Sequence, residues 1–225
     1  AQGRNARAAQ ILQDALATRD DPQLRTLLGL SLASAGRTAD ALGPLETAYA
    51  RDPGQVQAGV ALVGLYLREN RGKRAMEVAE ALVKRQPNQP GLHNLLGQAR
   101  LQTGDLARAR SSFDEAARLD PAFLAPRLNL ARLDMRNNQL DSAASRLAAL
   151  LKTDEKNVEV LTELGRLAER RGQADDATRY FAKAADHSAP TDLQPSLTLL
   201  DHHLRARRVE GAQEALRQLN AKAPQ

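Results

Sequence analysis

The chain has no cysteine, no tryptophan and only six aromatic rings in 225 residues: Tyr49, Tyr66, Phe113, Phe123, Tyr180 and Phe181. Without cysteine there is no disulfide, no thiolate metal site and no cysteine nucleophile, in whatever compartment the chain resides. A single large globular core leans on more aromatic bulk than these rings provide. No apolar run approaches ~20 residues, so no helix is expected to span a bilayer. The Gly-rich phosphate loop, HExxH and GxSxG motifs are all missing. Histidine is scarce: His93, His187, His202 and His203. Asp201-His202-His203 is an unusual run, but neighbours on a helix point to different sides and no third ligand converges on them. They are expected to be surface histidines, with no metal or cofactor. The charge excess is mild, 32 basic against 27 acidic residues for a net +5, and aromatics for base stacking are few, so nucleic acid is not an expected partner. The chain shows no signal peptide, starts without Met and opens in mid-pattern, which reads as a slice of a longer protein.

Alanine and leucine dominate, and they recur. The small residues Ala8, Ala41, Ala75, Ala109, Ala143, Ala177 and Ala212 are spaced 33, 34, 34, 34, 34 and 35 apart. Four residues after each comes Leu12, Leu45, Ala79, Phe113, Leu147, Phe181 or Leu216. A second comb precedes each alanine from the second onward: Leu28-Gly29, Leu62-Val63, Leu96-Gly97, Leu130-Ala131, Leu164-Gly165 and Leu199-Leu200. Gly36, Gly72, Gly104, Asn138 and Gly172 separate the combs, and Pro53, Pro87, Pro121 and Pro224 close units. Apolar residues three and four apart predict helices, Gly and Asn tolerate the left-handed end of a helix, and small residues mark close crossings. Each unit therefore reads as two antiparallel helices, thirteen helices in all. A lone pair cannot bury its own apolar face, so the units must stack.

This pattern resembles the tetratricopeptide (TPR) repeat. Leu96-Gly97, Gly104, Ala109, Phe113, Ala116 and Pro121 match it best. The units run 22–55, 56–89, 90–123, 124–157, 158–191 and 193–225, after a half-unit at 4–19, as one array over 1–225. Departures are the loss of the early first-helix aromatic (Arg25, Gly59, His93, Arg127, Leu161), the loss of the closing proline at Glu155 and Ala189, and a one-residue insertion near 186–193. Another repeat would begin at Ala223-Pro224-Gln225. The resemblance implies an all-α right-handed superhelical solenoid of about six and a half repeats. It also implies a concave face, lined by the first helices, that binds a protein or peptide rather than catalysing a reaction.

Projected onto the family's contact places, the sequence forms an arginine ladder: Arg68, Arg132, Arg136, Arg166, Arg170 and Arg205. Asn94, Gln98, Gln102 and Asn129 add hydrogen-bonding reach beside it. Like charges four apart, as in Arg132/Arg136 and Arg166/Arg170, repel slightly and favour a counter-anion. The groove then takes an acidic protein, peptide or polysaccharide. Alternatively, Glu159, Glu163 and Glu169 neutralise the ladder and the face is merely solvated. The Lys and Asn pattern of TPR domains that clamp a peptide C-terminus is missing, which argues against that ligand. Arg100 and Asp134, at one place in adjacent units, are read as a structural bridge.

A narrower likeness covers His93-Asn94-Leu95-Leu96-Gly97, Gly104–Arg110, Phe113, Leu119-Asp120-Pro121 and Ala125–Asp134. This stretch is similar to the PrsT-type TPR-repeat lipoproteins of bacterial exosortase (PEP-CTERM) systems, linked with exopolysaccharide production and surface-protein sorting. That implies a periplasm-facing scaffold, tied to the membrane only by an anchor outside this sequence. A cytoplasmic TPR adaptor is the alternative.

Overall fold

A computed structural model describes residues 2–222. Ala1 and the expected next repeat start at Ala223-Pro224-Gln225, with Pro224, lie outside the described residues. Thirteen helices and no strand occur among the described residues: α1 (Gln2–Thr18), α2 (Pro22–Ser34), α3 (Thr38–Arg51), α4 (Val56–Arg68), α5 (Gly72–Arg85), α6 (Pro90–Gln102), α7 (Leu106–Leu119), α8 (Leu124–Arg136), α9 (Leu140–Thr153), α10 (Val158–Arg170), α11 (Ala174–His187), α12 (Gln194–Arg205) and α13 (Val209–Lys222). The chain divides into two compact units, Ala1–Phe123 and Leu124–Gln225.

Local chemistry sets the helix ends. The Asp21, Asp105 and Asn157 side chains accept from the backbone N–H groups of Gln23, Arg108 and Val160, satisfying donors that a first turn otherwise leaves orphaned. Pro22 and Pro90 sit in first turns, where a missing N–H costs nothing. Each first helix of a pair ends on one left-handed residue: Gly36, Asn70, Gly104, Asn138, Gly172 and Arg207, with φ of 80°, 58°, 84°, 59°, 72° and 54°. This corrects the reading of Gly72 as the turn residue. Gly72 opens α5 and is buried, and Asn70 makes the turn. Arg207 has a Cβ where this conformation disfavours one, at about 1–2 kcal/mol. Arg207→Gly is expected to stabilise the last helix pair by about 0.5–1 kcal/mol after glycine's entropy loss, read as a higher urea midpoint.

Within each pair the core follows a rule of matched volumes. Residues sixteen apart face each other across the pair. A Cβ on Gly29 would lie 2.4 Å from Leu45, one on Gly97 2.5 Å from Phe113, and one on Gly165 2.4 Å from Phe181. Where the first position carries more bulk, its mate is smaller than phenylalanine: Val63 with Ala79, and Ala131 with Leu147, all buried. Unit 1 has one continuous core, from Ala9 through Leu45 and Leu62 to Leu96 and Ala99. Unit 2 has two clusters, one around Leu128, Leu147 and Leu164 and one around Phe181 and Leu199.

The missing early aromatic is replaced in different ways. At Gly59 the space is taken by the Tyr49 ring and Leu82, each 2.9 Å from where a Cβ would stand. Leu161 is itself buried. The His93 ring nitrogen Nε2 lies 2.7 Å from the Pro87 carbonyl oxygen. Tyr66, the one aromatic kept in mid-helix, is buried and donates to Glu46 at 2.5 Å. Burial and that carboxylate push its hydroxyl above the ordinary tyrosine value.

Candidate functional site

In unit 1, α4 and α6 carry the expected ligand contacts. Arg68 is exposed and donates from Nη2 to the Thr38 hydroxyl at 3.1 Å. Gln98 is half-buried. Gln102 donates from Nε2 to the Leu67 carbonyl oxygen at 2.8 Å, tying α6 to α4. Asn94, read as a contact beside the ladder, is 6% exposed. Arg100, expected to pair with Asp134, bridges Glu80 at 3.0 Å and donates to Ser112 at 2.9 Å instead, while Asp134 accepts from Arg146 at 2.8 Å. Each finds its partner on a sequence-adjacent helix, which its own backbone already positions.

In unit 2 the arginines converge on a residue the sequence marked only as a neighbour. Glu163 on α10 is 1% exposed, and its Oε1 accepts from Arg132 Nε at 2.8 Å and from Arg166 Nη1 at 2.6 Å. A buried carboxylate is tolerable only when paired and hydrogen-bonded, and two guanidiniums supply both. Asn129, at 8% exposure, accepts from Arg132 at 3.2 Å. A signal for Glu163 was present: its place in the unit holds Leu27, Ala61, Leu95 and Asn129 elsewhere. A lone acid there needs a cationic partner.

The remaining ladder is uneven. Arg136 is exposed and has no ion pair among the described residues. Arg170 donates to the Met135 carbonyl oxygen at 2.8 Å, which leaves its charge unmatched. Arg205 pairs with Asp201 on its own helix at 2.5 Å. Arg132 and Arg166 thus share the Glu163 carboxylate, while Arg136 and Arg170 have no ion pair among the described residues, and neutralisation of the ladder is partial.

His202 and His203 are buried, at 3% and 8% exposure, which corrects their expected place on the surface. α12 turns both inward: His202 Nδ1 lies 2.7 Å from Glu169 and Nε2 3.0 Å from the Thr178 hydroxyl. The His203 ring packs on Gly211, with Nδ1 buried and unbonded. No group of metal-ligating residues forms among the described residues. Burial, with the charges of His202 and Arg208, holds the His203 imidazole below the ordinary value. The unfolded chain then binds this proton more readily, so stability present above the ordinary value, about pH 6.5, is lost as pH falls below it. His203→Leu is expected to flatten the decline in Tm between about pH 7 and 5.5.

Around α10, α11 and α12 lies a cleft of about 950 Å³, bordered by Arg166, Arg170 and Arg205 and by Phe181, Leu197 and Leu204.

Tetratricopeptide repeat models match residues 1–56, 32–99 and 100–167. The Photosystem I assembly protein Ycf3 of Synechococcus sp. (strain CC9902) is 36% identical over 93 residues, 37% of this chain and 54% of that protein. The chain therefore spans about half the length of this curated relative. The solved TPR protein TTC0263 of Thermus thermophilus aligns with a TM-score of 0.70 at 25% identity, over 81% of this chain and 99% of that one. A tetratricopeptide repeat protein of Parabacteroides merdae aligns at 0.84 with 17% identity, over 99% and 88%. These likenesses show the all-α TPR solenoid fold. TPR domains bind proteins or peptides and mediate interaction or assembly. With the matches covering most of its length, the chain belongs to the tetratricopeptide repeat family.

Proposed function

We propose that this chain is a non-catalytic interaction scaffold that holds a protein partner of acidic character on the first-helix face of unit 2. The observation that carries this reading is the state of the ladder there: Arg132 and Arg166 share one buried carboxylate, and Arg136 and Arg170 have no ion pair among the described residues. A guanidinium left with free donors binds carboxylates in fork geometry. Similarity to a protein named for photosystem assembly supports a role in bringing other proteins together. The likeness of residues 93–134 to PrsT-type lipoproteins supports a place on the periplasmic side of a bacterial envelope, in exopolysaccharide export or surface-protein sorting.

The test is capture of partners by the full-length protein, followed by binding of the captured partner to variants. Arg136→Ala and Arg170→Ala are each expected to weaken binding about tenfold, the equivalent of ~1.4 kcal/mol. Unchanged affinity in the double variant would refute the reading. Direct binding of an acidic polysaccharide rests on the same excess. A polyuronate probe that binds the wild type and loses affinity in the double variant would favour it over a protein partner. Fractionation decides between the envelope and a cytoplasmic adaptor.

A further inference from the structure

The cleft in unit 2 owes its existence to an irregularity in the last helix pair. Four residues join one complete pair to the next in Asp52–Gln55, Gln86–Gln89 and Asp154–Asn157, whereas six residues, Ser188–Leu193, precede α12. Successive first helices pack together in α2/α4, α4/α6 and α8/α10. α12 packs chiefly on α11 and α13, and it reaches α10 through the His202–Glu169 contact. The cleft opens on that side.

Its two walls differ in chemistry. On α12, Leu197, Leu200 and Leu204 stand at i, i+3 and i+7, which places them on one stripe. Leu197 is 42% exposed and Leu204 60%. A scattered exposed leucine needs no explanation, but a helical stripe of them along a cleft marks an unfilled contact. On α10, Arg166 and Arg170 lie one turn apart. Arg170 spends one donor on a neutral carbonyl, and Arg166 shares Glu163 with Arg132. The acids at the border are engaged: Asp201 by Arg205, and Glu169 by buried His202. One wall therefore carries a leucine stripe among Gln194, Thr198, Asp201 and Arg205, and the other carries two arginines against Glu169.

We infer that this cleft receives one face of an amphipathic, acidic α-helix from a partner protein, its apolar stripe on α12 and its carboxylates toward Arg166 and Arg170. The inference rests on the scaffold reading and names the partner's chemistry. A helix is the occupant that fits: the leucine stripe has helical spacing and its outer members stay exposed along the cleft. α12 is twelve residues long, about 18 Å, so the complementary segment is three to four turns with apolar anchors at i, i+3 or i+4, and i+7.

The test uses the whole chain and a fluorescent synthetic helix of about four turns, with leucines on one stripe and glutamates along one flank. The controls are the same peptide with lysine for glutamate and a scrambled sequence. The acidic peptide is expected to bind at least about tenfold more tightly than either control. Arg170→Glu and Leu204→Asp, both on exposed side chains, are each expected to lower that affinity by at least about tenfold with unchanged circular dichroism. Arg85→Glu, on an exposed side chain of unit 1 outside the ladder, is expected to leave it intact. Equal binding of the acidic and scrambled peptides, or full affinity in Leu204→Asp, overturns the inference. If a captured natural partner depends on Arg136 and Arg170 yet ignores Leu204→Asp, the cleft assignment falls while the scaffold reading stands.

Discussion

Gly97→Val is expected to destabilise the α6/α7 pair by about 1–3 kcal/mol or more, and adding Phe113→Ala is expected to cost clearly less than Phe113→Ala costs in the native chain. A Cβ at residue 97 would stand 2.5 and 2.6 Å from two carbons of the Phe113 ring. Phe113 is fully buried, so the ring has nowhere to retreat. Overpacking of this kind costs about 1–3 kcal/mol or more, and Phe113→Ala alone leaves a void worth about 3–5 kcal/mol. The preceding pair shows that the combined change is a working solution, because Val63 and Ala79 occupy the same two places and both are buried. The double variant is therefore expected to lose less than the sum of the two single losses, with a coupling of about 2–3 kcal/mol. Denaturant titration of the three variants measures the coupling. Hydrogen exchange in α6 and α7 localises it, since repeat arrays open in parts. Additive losses would show that the matched volumes are coincidental.

This matching explains why so much of the fold was legible in sequence. The helices, their order and the close crossings follow from contacts within one period, and period is what a sequence displays. The alanines at 41, 75, 109, 143 and 177 are all 0% exposed. Asn70 was legible too: Gly36, Asn70, Gly104, Asn138 and Gly172 are spaced by 34 throughout, and only glycine's greater freedom drew attention to Gly72 instead. The site was less legible. Register placed the arginines correctly on the first helices, but which of them is spent on an internal acid depends on side-chain conformations across two helices. Burial of His202 and His203 depends on the rotation of α12 after a lengthened loop, which breaks the period that made the other units readable.

Glu163→Gln is expected to weaken unit 2 and, at the same time, to strengthen its hold on an acidic ligand. The carboxylate is buried and serves Arg132 and Arg166 together. Breaking a buried pair typically costs about 3–5 kcal/mol. Here the two arginine side chains are 44% and 51% exposed, so both can turn to water, and the loss is expected near about 2–3 kcal/mol. Glu163→Leu is expected to lose less, since leucine is the residue at this place in two other units, as Leu27 and Leu95, and an apolar replacement leaves no polar atom unpaired in the core. The binding effect has the opposite sign. Removing the carboxylate that Arg132 and Arg166 share frees two guanidiniums, so affinity for an acidic peptide is expected to rise about tenfold and to fall more steeply with salt. Stability alone cannot produce that pattern. If the arginines serve only to neutralise Glu163, the variants will be less stable and bind acidic peptides no better, and salt dependence will match the wild type. A tighter, more salt-sensitive complex from a less stable protein is the result that separates a binding face from a solvated one.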